Sequence, residues 1–231
     1  MIACLVIHGY TGGPYEVAPL AKFLKESTDW HIEVPTLPGH GKELQLENVS
    51  YKKWIQAAEN ELKKLQKEYE EVYVIGFSMG GMIAAYLAAK YKIDKLVLLA
   101  TSGKYLNFKQ IGLDIANVIG DGIRGTLKDN KLYGHYKKKL GAVPFRANFE
   151  FMKLVRFTRS YLDKIESPVL IAQGHLDGMV PYKTAYYLDK EIHSEQKEIV
   201  FFDKSRHLIC LGDDKDTLNG MVYDFLVCKT E

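Results

Sequence analysis

Val72-Tyr73-Val74-Ile75-Gly76-Phe77-Ser78-Met79-Gly80-Gly81, running on into Met82-Ile83-Ala84-Ala85-Tyr86-Leu87-Ala88-Ala89, reads as an apolar β-branched strand, a Gly-x-Ser-x-Gly turn and an alanine-rich helix. Glycines on either side of the serine permit a sharp turn, because a Cβ there would strike the neighbouring strand or helix. Ser78 is thereby lifted to the tip of the turn. A base can reach its hydroxyl from one side and a substrate from the other, and the amides at the helix start can donate to an oxyanion. The competing reading is a tight packing turn or a phosphate loop. A phosphate loop would need Gly-Lys-Ser/Thr, and a dinucleotide loop Gly-x-Gly-x-x-Gly with an acidic residue after the next strand; neither occurs here.

Around this segment, short apolar runs alternate with helical ones, the pattern of a parallel sheet covered on both faces. The expected strands are Ile2–Ile7, His31–Val34, Val72–Ile75, Lys95–Leu99, Val169–Ala172 and Glu198–Phe202. The expected helices are Ala18–Glu26, Tyr51–Tyr69, Met79–Tyr91, Thr184–Leu188 and Leu218–Val227. In the second of these Tyr51, Trp54, Ile55, Ala58, Leu62, Leu65 and Tyr69 share one face. The pattern predicts an α/β fold: one domain over residues 1–231, with a mostly parallel sheet of about six strands and helices on both faces. Alternation stops between Ser102 and about Ile165, where the chain is helix-prone and punctuated by glycine. That stretch, about 103–165, is expected to form a small cap insertion above the carboxyl edge of the sheet, where active sites of open parallel sheets lie.

With 231 residues and 47% hydrophobic content, the chain can bury a core as one domain. A formal net charge of +2, with 26% charged residues, lacks the basic excess of a nucleic-acid binder. The charge is unevenly spread: Lys104 to Lys164 holds 13 Lys and Arg against 5 Asp and Glu, so this stretch carries +8 and the rest −6. A solvated basic surface is the ordinary meaning of such a bias. The sharper one is a positive potential from Lys137, Lys138, Lys139 and their neighbours that draws in anionic substrates or surfaces. Cys4, Cys210 and Cys228 are too few and scattered for a disulfide framework or a metal pair. No apolar run is long enough to span a bilayer and none resembles a signal segment, so a cytoplasmic protein without stable membrane insertion is expected.

A serine hydroxyl needs a histidine to take its proton and a carboxylate to orient that histidine. Asp177 lies just past the strand Val169–Ala172, in Gly174-His175-Leu176-Asp177-Gly178-Met179-Val180-Pro181, and His207 lies just past the strand ending at Phe202. The order Ser78, Asp177, His207 is the one that hydrolases of this architecture require. Asp177 alone could be a turn residue and His207 a solvated one; order and spacing together raise both. His175 is too close in sequence to be oriented by Asp177, and Cys210 has no elbow around it. The backbone N–H of Met79 is the first expected oxyanion donor. The second is that of Tyr10, in His8-Gly9-Tyr10-Thr11-Gly12-Gly13-Pro14, with His8 fixing the loop.

With these pieces assembled, the chain resembles the α/β-hydrolase superfamily, and within it small microbial carboxylesterases related to monoacylglycerol lipases. The resemblance rests on His8-Gly9-Tyr10-Thr11-Gly12, Pro38-Gly39-His40-Gly41, Gly76-Phe77-Ser78-Met79-Gly80-Gly81, Gly174-x-x-Asp177-x-x-Val180-Pro181 and Ser205-x-His207. It implies Ser78 as nucleophile, Asp177 as acid, His207 as base, an oxyanion loop at Tyr10, a cap over the acyl pocket, and no metal or organic cofactor. Antiparallel strands that often begin the fold are absent, since Met1 directly precedes the first strand, so the sheet should be smaller than usual. The implied activity is cleavage of a small-molecule carboxylic ester through an acyl-serine. The same residues serve a thioesterase, lysophospholipase, monoacylglycerol lipase or feruloyl esterase equally well, and a non-hydrolytic binding protein can retain them. Acyl length, alcohol group and oligomeric state are not legible in the sequence.

Overall fold

The computed structural model describes residues 1–104 and 143–228. Within them the elements follow in the order β1 (Ile2–Ile7), a 3₁₀ turn (Pro14–Glu16), α1 (Ala18–Ser27), β2 (His31–Glu33), α2 (Tyr51–Glu68), β3 (Glu71–Phe77), α3 (Met79–Lys90) and β4 (Lys95–Leu99). After the undescribed stretch come α4 (Phe145–Arg159), a 3₁₀ turn (Leu162–Lys164), β5 (Val169–Gly174), α5 (Lys183–Glu191), β6 (Lys197–Phe202) and α6 (Lys215–Val227). Every expected strand and helix is present: β1 and β4 have the expected bounds, and the other elements differ by at most three residues at an end.

The six strands form one sheet in the order β2-β1-β3-β4-β5-β6, and all five neighbouring pairs are parallel. Successive residues of a strand face opposite sides. Leu5, Val74, Leu98 and Ile171 therefore meet α2, α3, α4 and α5 on one face. Val6, Ile75, Val97 and Leu170 meet α1 and α6 on the other. Both faces being covered explains why the central strands lack polar alternation. Helix α3 is buried from Met79 to Ala88 on every side, which accounts for its uniformly apolar sequence. In α2 the buried residues are Trp54, Ile55, Ala58, Leu62 and Leu65, with Tyr51 and Tyr69 partly buried beside them, as the helical period predicts.

Of the expected cap, the first part lies outside the described residues, including Tyr105, Phe108, Tyr133 and Lys137, Lys138 and Lys139. Its last part contains α4, which lies against α2 and α3. Ala147, Phe151, Leu154 and Val155 of α4 are buried in the same core as the sheet. Phe157 and Tyr161 close on Tyr86 with ring centroids 5.5 and 4.9 Å away, so these two aromatics build core rather than line an entrance. Phe145 and Phe149 of α4 are exposed. No described helix is long and apolar enough to cross a membrane.

Candidate active site

Gly76, the last residue but one of β3, has its Cα so near the first turn of α3 that a Cβ there would stand 2.3 Å from the Gly80 carbonyl oxygen. A Cβ on Gly80 would stand 2.3 Å from the carbonyl oxygen of Ile7 and 2.5 Å from that of His8. Both contacts are far inside van der Waals range, so the turn exists only because these side chains are missing. Their effect is to press the start of α3 against the carboxyl end of β1. The backbone strain itself falls on Ser78, which has φ 53° and ψ −113°. Its N–H donates to the Leu99 carbonyl at 2.8 Å, and its own carbonyl accepts from Gly81 N–H at 3.1 Å and Ser102 N–H at 3.2 Å. These bonds hold an otherwise unfavourable conformation in place.

Three non-glycine residues in the described chain have positive φ: Thr11 at 60°, Ser78 at 53° and Ala100 at 43°. They follow β1, β3 and β4, three adjacent strands, at the same carboxyl edge. Strain of this kind persists only where its surroundings enforce it, and it gathers at functional sites.

The structure brings together the three side chains singled out in the sequence. Ser78 Oγ lies 2.9 Å from His207 Nε2, and His207 Nδ1 lies 2.8 Å from Asp177 Oδ2. Ser78, Asp177 and His207 are 6%, 5% and 6% exposed, so all three side chains are shielded from bulk water. Asp177 Oδ1 accepts from Met179 N–H at 2.9 Å and Val180 N–H at 2.8 Å, while Oδ2 accepts from Gln173 Nε2 at 3.0 Å. Both carboxylate oxygens are thus held by donors other than His207. With an Asp177 oxygen as acceptor, the imidazole proton of His207 lies on Nδ1, and Nε2 accepts from Ser78.

The loops carrying these two residues are stitched to each other. His175 N–H donates to the Phe202 carbonyl at 3.0 Å, and Leu176 N–H donates to the Ser205 carbonyl at 3.1 Å. The Ser205 hydroxyl is fixed in turn on Asp214 at 2.8 Å. The ring of His207 is backed by Phe77, 5.2 Å away.

The rejected candidates have other occupations. His175 pairs with Asp203 at 2.6 Å and stacks on Phe201 at 4.8 Å. The Cys210 thiol is pushed up to about 12, first by burial and then by the charge of Glu16, which leaves it without the thiolate a nucleophile needs. Nε2 of His8 accepts from Leu37 N–H at 3.0 Å, which puts the ring proton on Nδ1 for donation to the Gly9 carbonyl at 2.9 Å. Both nitrogens are thus committed to fixing the loop after β1.

Tyr10 and Met79, expected to offer backbone donors, sit on either side of the β1–α3 contact. The loop that carries Tyr10 is held from below by Glu16, a buried carboxylate accepting from Gly9 N–H at 3.0 Å. From above it is held by α4: the Tyr10 hydroxyl donates to Asn148 Oδ1 at 2.9 Å and its ring stacks on Phe151 at 4.7 Å. Burial raises the Tyr10 phenol well above its ordinary pKa, so it remains a donor to Asn148 throughout the usual range.

Three polar contacts were not anticipated from sequence. Gln173 lies inside a strand, where glutamine carries no signal of its own. Glu16 lies in a 3₁₀ turn seven residues from its partner. Ser102 places its hydroxyl 3.0 Å from Ser78 Oγ, and the available clue was its position just past the strand beside the serine strand. Among the described residues no group of three His, Cys, Asp or Glu side chains is arranged to hold a metal ion.

The sequence compares with known proteins accordingly. Residues 3–121, just over half of the chain, match the family described as alpha/beta hydrolase fold. A thermostable monoacylglycerol lipase of Bacillus sp. (strain H-257) is 27% identical, over 93% of this chain and 86% of the relative. A carboxylesterase of Bacillus subtilis (strain 168) is 23% identical, over 97% of this chain and 92% of the relative. Among solved structures, the monoacylglycerol lipase of Paleococcus ferrophilus superposes with a TM-score of 0.73 at 17% identity, covering 97% of this chain and 93% of that one. At that identity the likeness is one of fold. With the elbow, the parallel sheet and the ordered Ser-Asp-His residues all in place, the chain belongs to the α/β-hydrolase family.

Proposed function

We propose that this protein is a carboxylesterase-type serine hydrolase acting on small-molecule esters of small or medium acyl groups. The observation that carries this reading is the unbroken hydrogen-bonded relay from Ser78 through His207 to Asp177. Esterase and lipase relatives that span nearly the whole chain support it.

In this mechanism Ser78 Oγ bonds to the ester carbonyl carbon as its proton passes to His207 Nε2, and Asp177 holds the resulting imidazolium. The backbone N–H groups of Tyr10 and Met79 receive the oxyanion, aided by the positive end of α3. Collapse breaks the bond to the alcohol oxygen, which takes the proton from His207. Water then repeats the sequence on the acyl-serine and releases the acid. Neither a metal nor an organic cofactor takes part.

A panel of p-nitrophenyl esters of graded acyl length, run beside acyl thioesters and monoacylglycerols, tests the reading. Turnover of the esters with saturable kinetics is expected. Covalent labelling of Ser78 by a fluorophosphonate with negligible turnover of every member would instead favour a binding protein on the same scaffold.

The same panel tests the part played by α4. Because Asn148 supplies the hydrogen bond from α4 to Tyr10, beside the ring of Phe151, Asn148→Ala removes one neutral hydrogen bond, worth roughly 1 kcal/mol or a factor of about 5. We expect the ratio of kcat/KM between long and short acyl esters to change by about that factor, while the labelling rate with a small fluorophosphonate is retained. An equal change across all esters would mean that α4 has no selective role.

A further inference from the structure

Two hydroxyls, not one, lie at the centre of this site. Ser102 Oγ is 3.0 Å from Ser78 Oγ, and Ser102 is 1% exposed. Its placement is enforced by the backbone. Ala100 N–H is still paired with the Ala172 carbonyl at 2.9 Å, at the end of β4, and its φ of 43° then turns the chain sharply. Ser102 is thereby brought back over the elbow, its N–H donating to the Ser78 carbonyl at 3.2 Å. The elbow is thus tied to β4 and its extension three times: at Ser78 N–H, at the Ser78 carbonyl and at the hydroxyl itself.

Proton accounting sets the direction of the hydroxyl contact. With the imidazole proton on Nδ1 facing Asp177, His207 Nε2 is an acceptor, and the single proton of Ser78 Oγ points to it. Ser78 Oγ therefore has only lone pairs for Ser102, and Ser102 is the donor. We propose that Ser102 is a further catalytic hydrogen-bond donor, aimed at the nucleophile oxygen rather than at the carbonyl oxygen of the substrate, and that it acts chiefly in deacylation. This rests on the serine-hydrolase reading above.

The asymmetry between the two half-reactions follows from where charge develops. In acylation the Ser102 bond is already present in the resting enzyme, and it weakens as Ser78 Oγ becomes bonded to carbon, so it gives the attack little. In deacylation the acyl ester oxygen is a poor acceptor. As water adds, passing its proton to His207, and the carbon–Oγ bond then breaks, that oxygen recovers an electron pair and accepts strongly until His207 returns the proton. Ser102 keeps its own proton throughout and lowers the energy of that leaving oxygen only. A donor fixed beforehand at the site of developing charge costs no reorganisation when the bond breaks.

The test resolves the two steps by stopped-flow kinetics with a p-nitrophenyl ester in wild type, Ser102→Ala and Ser102→Cys. Cysteine has nearly the size of serine but is a weak donor. Both variants are expected to slow deacylation by roughly 10- to 100-fold, the worth of a hydrogen bond to a charged oxygen, and to leave acylation within a few-fold. The burst of p-nitrophenol should then approach one equivalent per enzyme while the steady rate falls. The inference is overturned if both variants keep the wild-type deacylation rate, if Ser102→Cys keeps it while Ser102→Ala does not, or if acylation falls as much as deacylation. The second of these results would mean packing, and the third a displaced Ser78. Should Ser102→Ala fail to fold, Ser102→Cys decides alone. A wild-type enzyme that turns over no ester would defeat the broader reading instead, which keeps the two failures distinct.

Discussion

Ser78→Ala and His207→Ala are each expected to reduce kcat on a p-nitrophenyl ester by several powers of ten, toward the ~10⁶ seen when either member of such a unit is removed. Without Ser78 no acyl-enzyme forms, and without His207 the hydroxyl stays protonated and the leaving alcohol has no acid. The two losses should not multiply, because each alone disables the same step. Asp177→Asn should cost roughly 10⁴, since the amide can donate to Nδ1 and so favours the wrong imidazole tautomer. All three variants should unfold near the wild-type temperature, because none of these side chains fills core volume. Asp177→Asn with near-normal kcat and an intact fold would mean that another carboxylate orients His207.

The second large effect falls on stability. Gly80→Ala adds a Cβ whose ideal position is 2.3 Å from the Ile7 carbonyl oxygen and 2.5 Å from that of His8. Both are backbone atoms of the central strand β1 and its exit, paired on either side with β2 and β3, so neither can retreat without disturbing the sheet. A cost of about 3 kcal/mol or more is expected, which for a chain of this size lowers Tm by roughly 6–12 °C. Surviving protein should also lose activity, because the same displacement moves the β1 loop away from the first turn of α3. Circular dichroism melting checks the first effect and ester turnover the second. Gly220→Ala is the control: nothing lies within 4 Å of the added Cβ there, and the change should be neutral or slightly stabilising.

The sheet was legible because its inner strands are covered on both sides and so read as unbroken apolar runs. The elbow was legible because its glycines are demanded by contacts under 3 Å. The order of Ser78, Asp177 and His207 followed from strand ends alone. What sequence could not give depends on where a bent chain returns. Ala100 at φ 43° carries no compositional signal, yet it delivers Ser102 to the Ser78 hydroxyl. Helix α4 shows only a helix-prone sequence, for a related reason: Phe145, Phe149 and Met152 are exposed while Ala147, Phe151 and Leu154 are buried. Apolar residues on both faces blur the helical period that delimited α2. Its bond from Asn148 to Tyr10, 138 residues away, is likewise invisible to local pattern.

The account stands most directly on one covalent bond, the acyl ester on Ser78. Wild-type enzyme mixed with a p-nitrophenyl ester and quenched in acid within the burst should gain the mass of one acyl group. Peptide mapping should place that group on Ser78, and Ser78→Ala treated in the same way should gain nothing. Ester turnover with no acyl group on Ser78, or an acyl group that persists in Ser78→Ala, would contradict it.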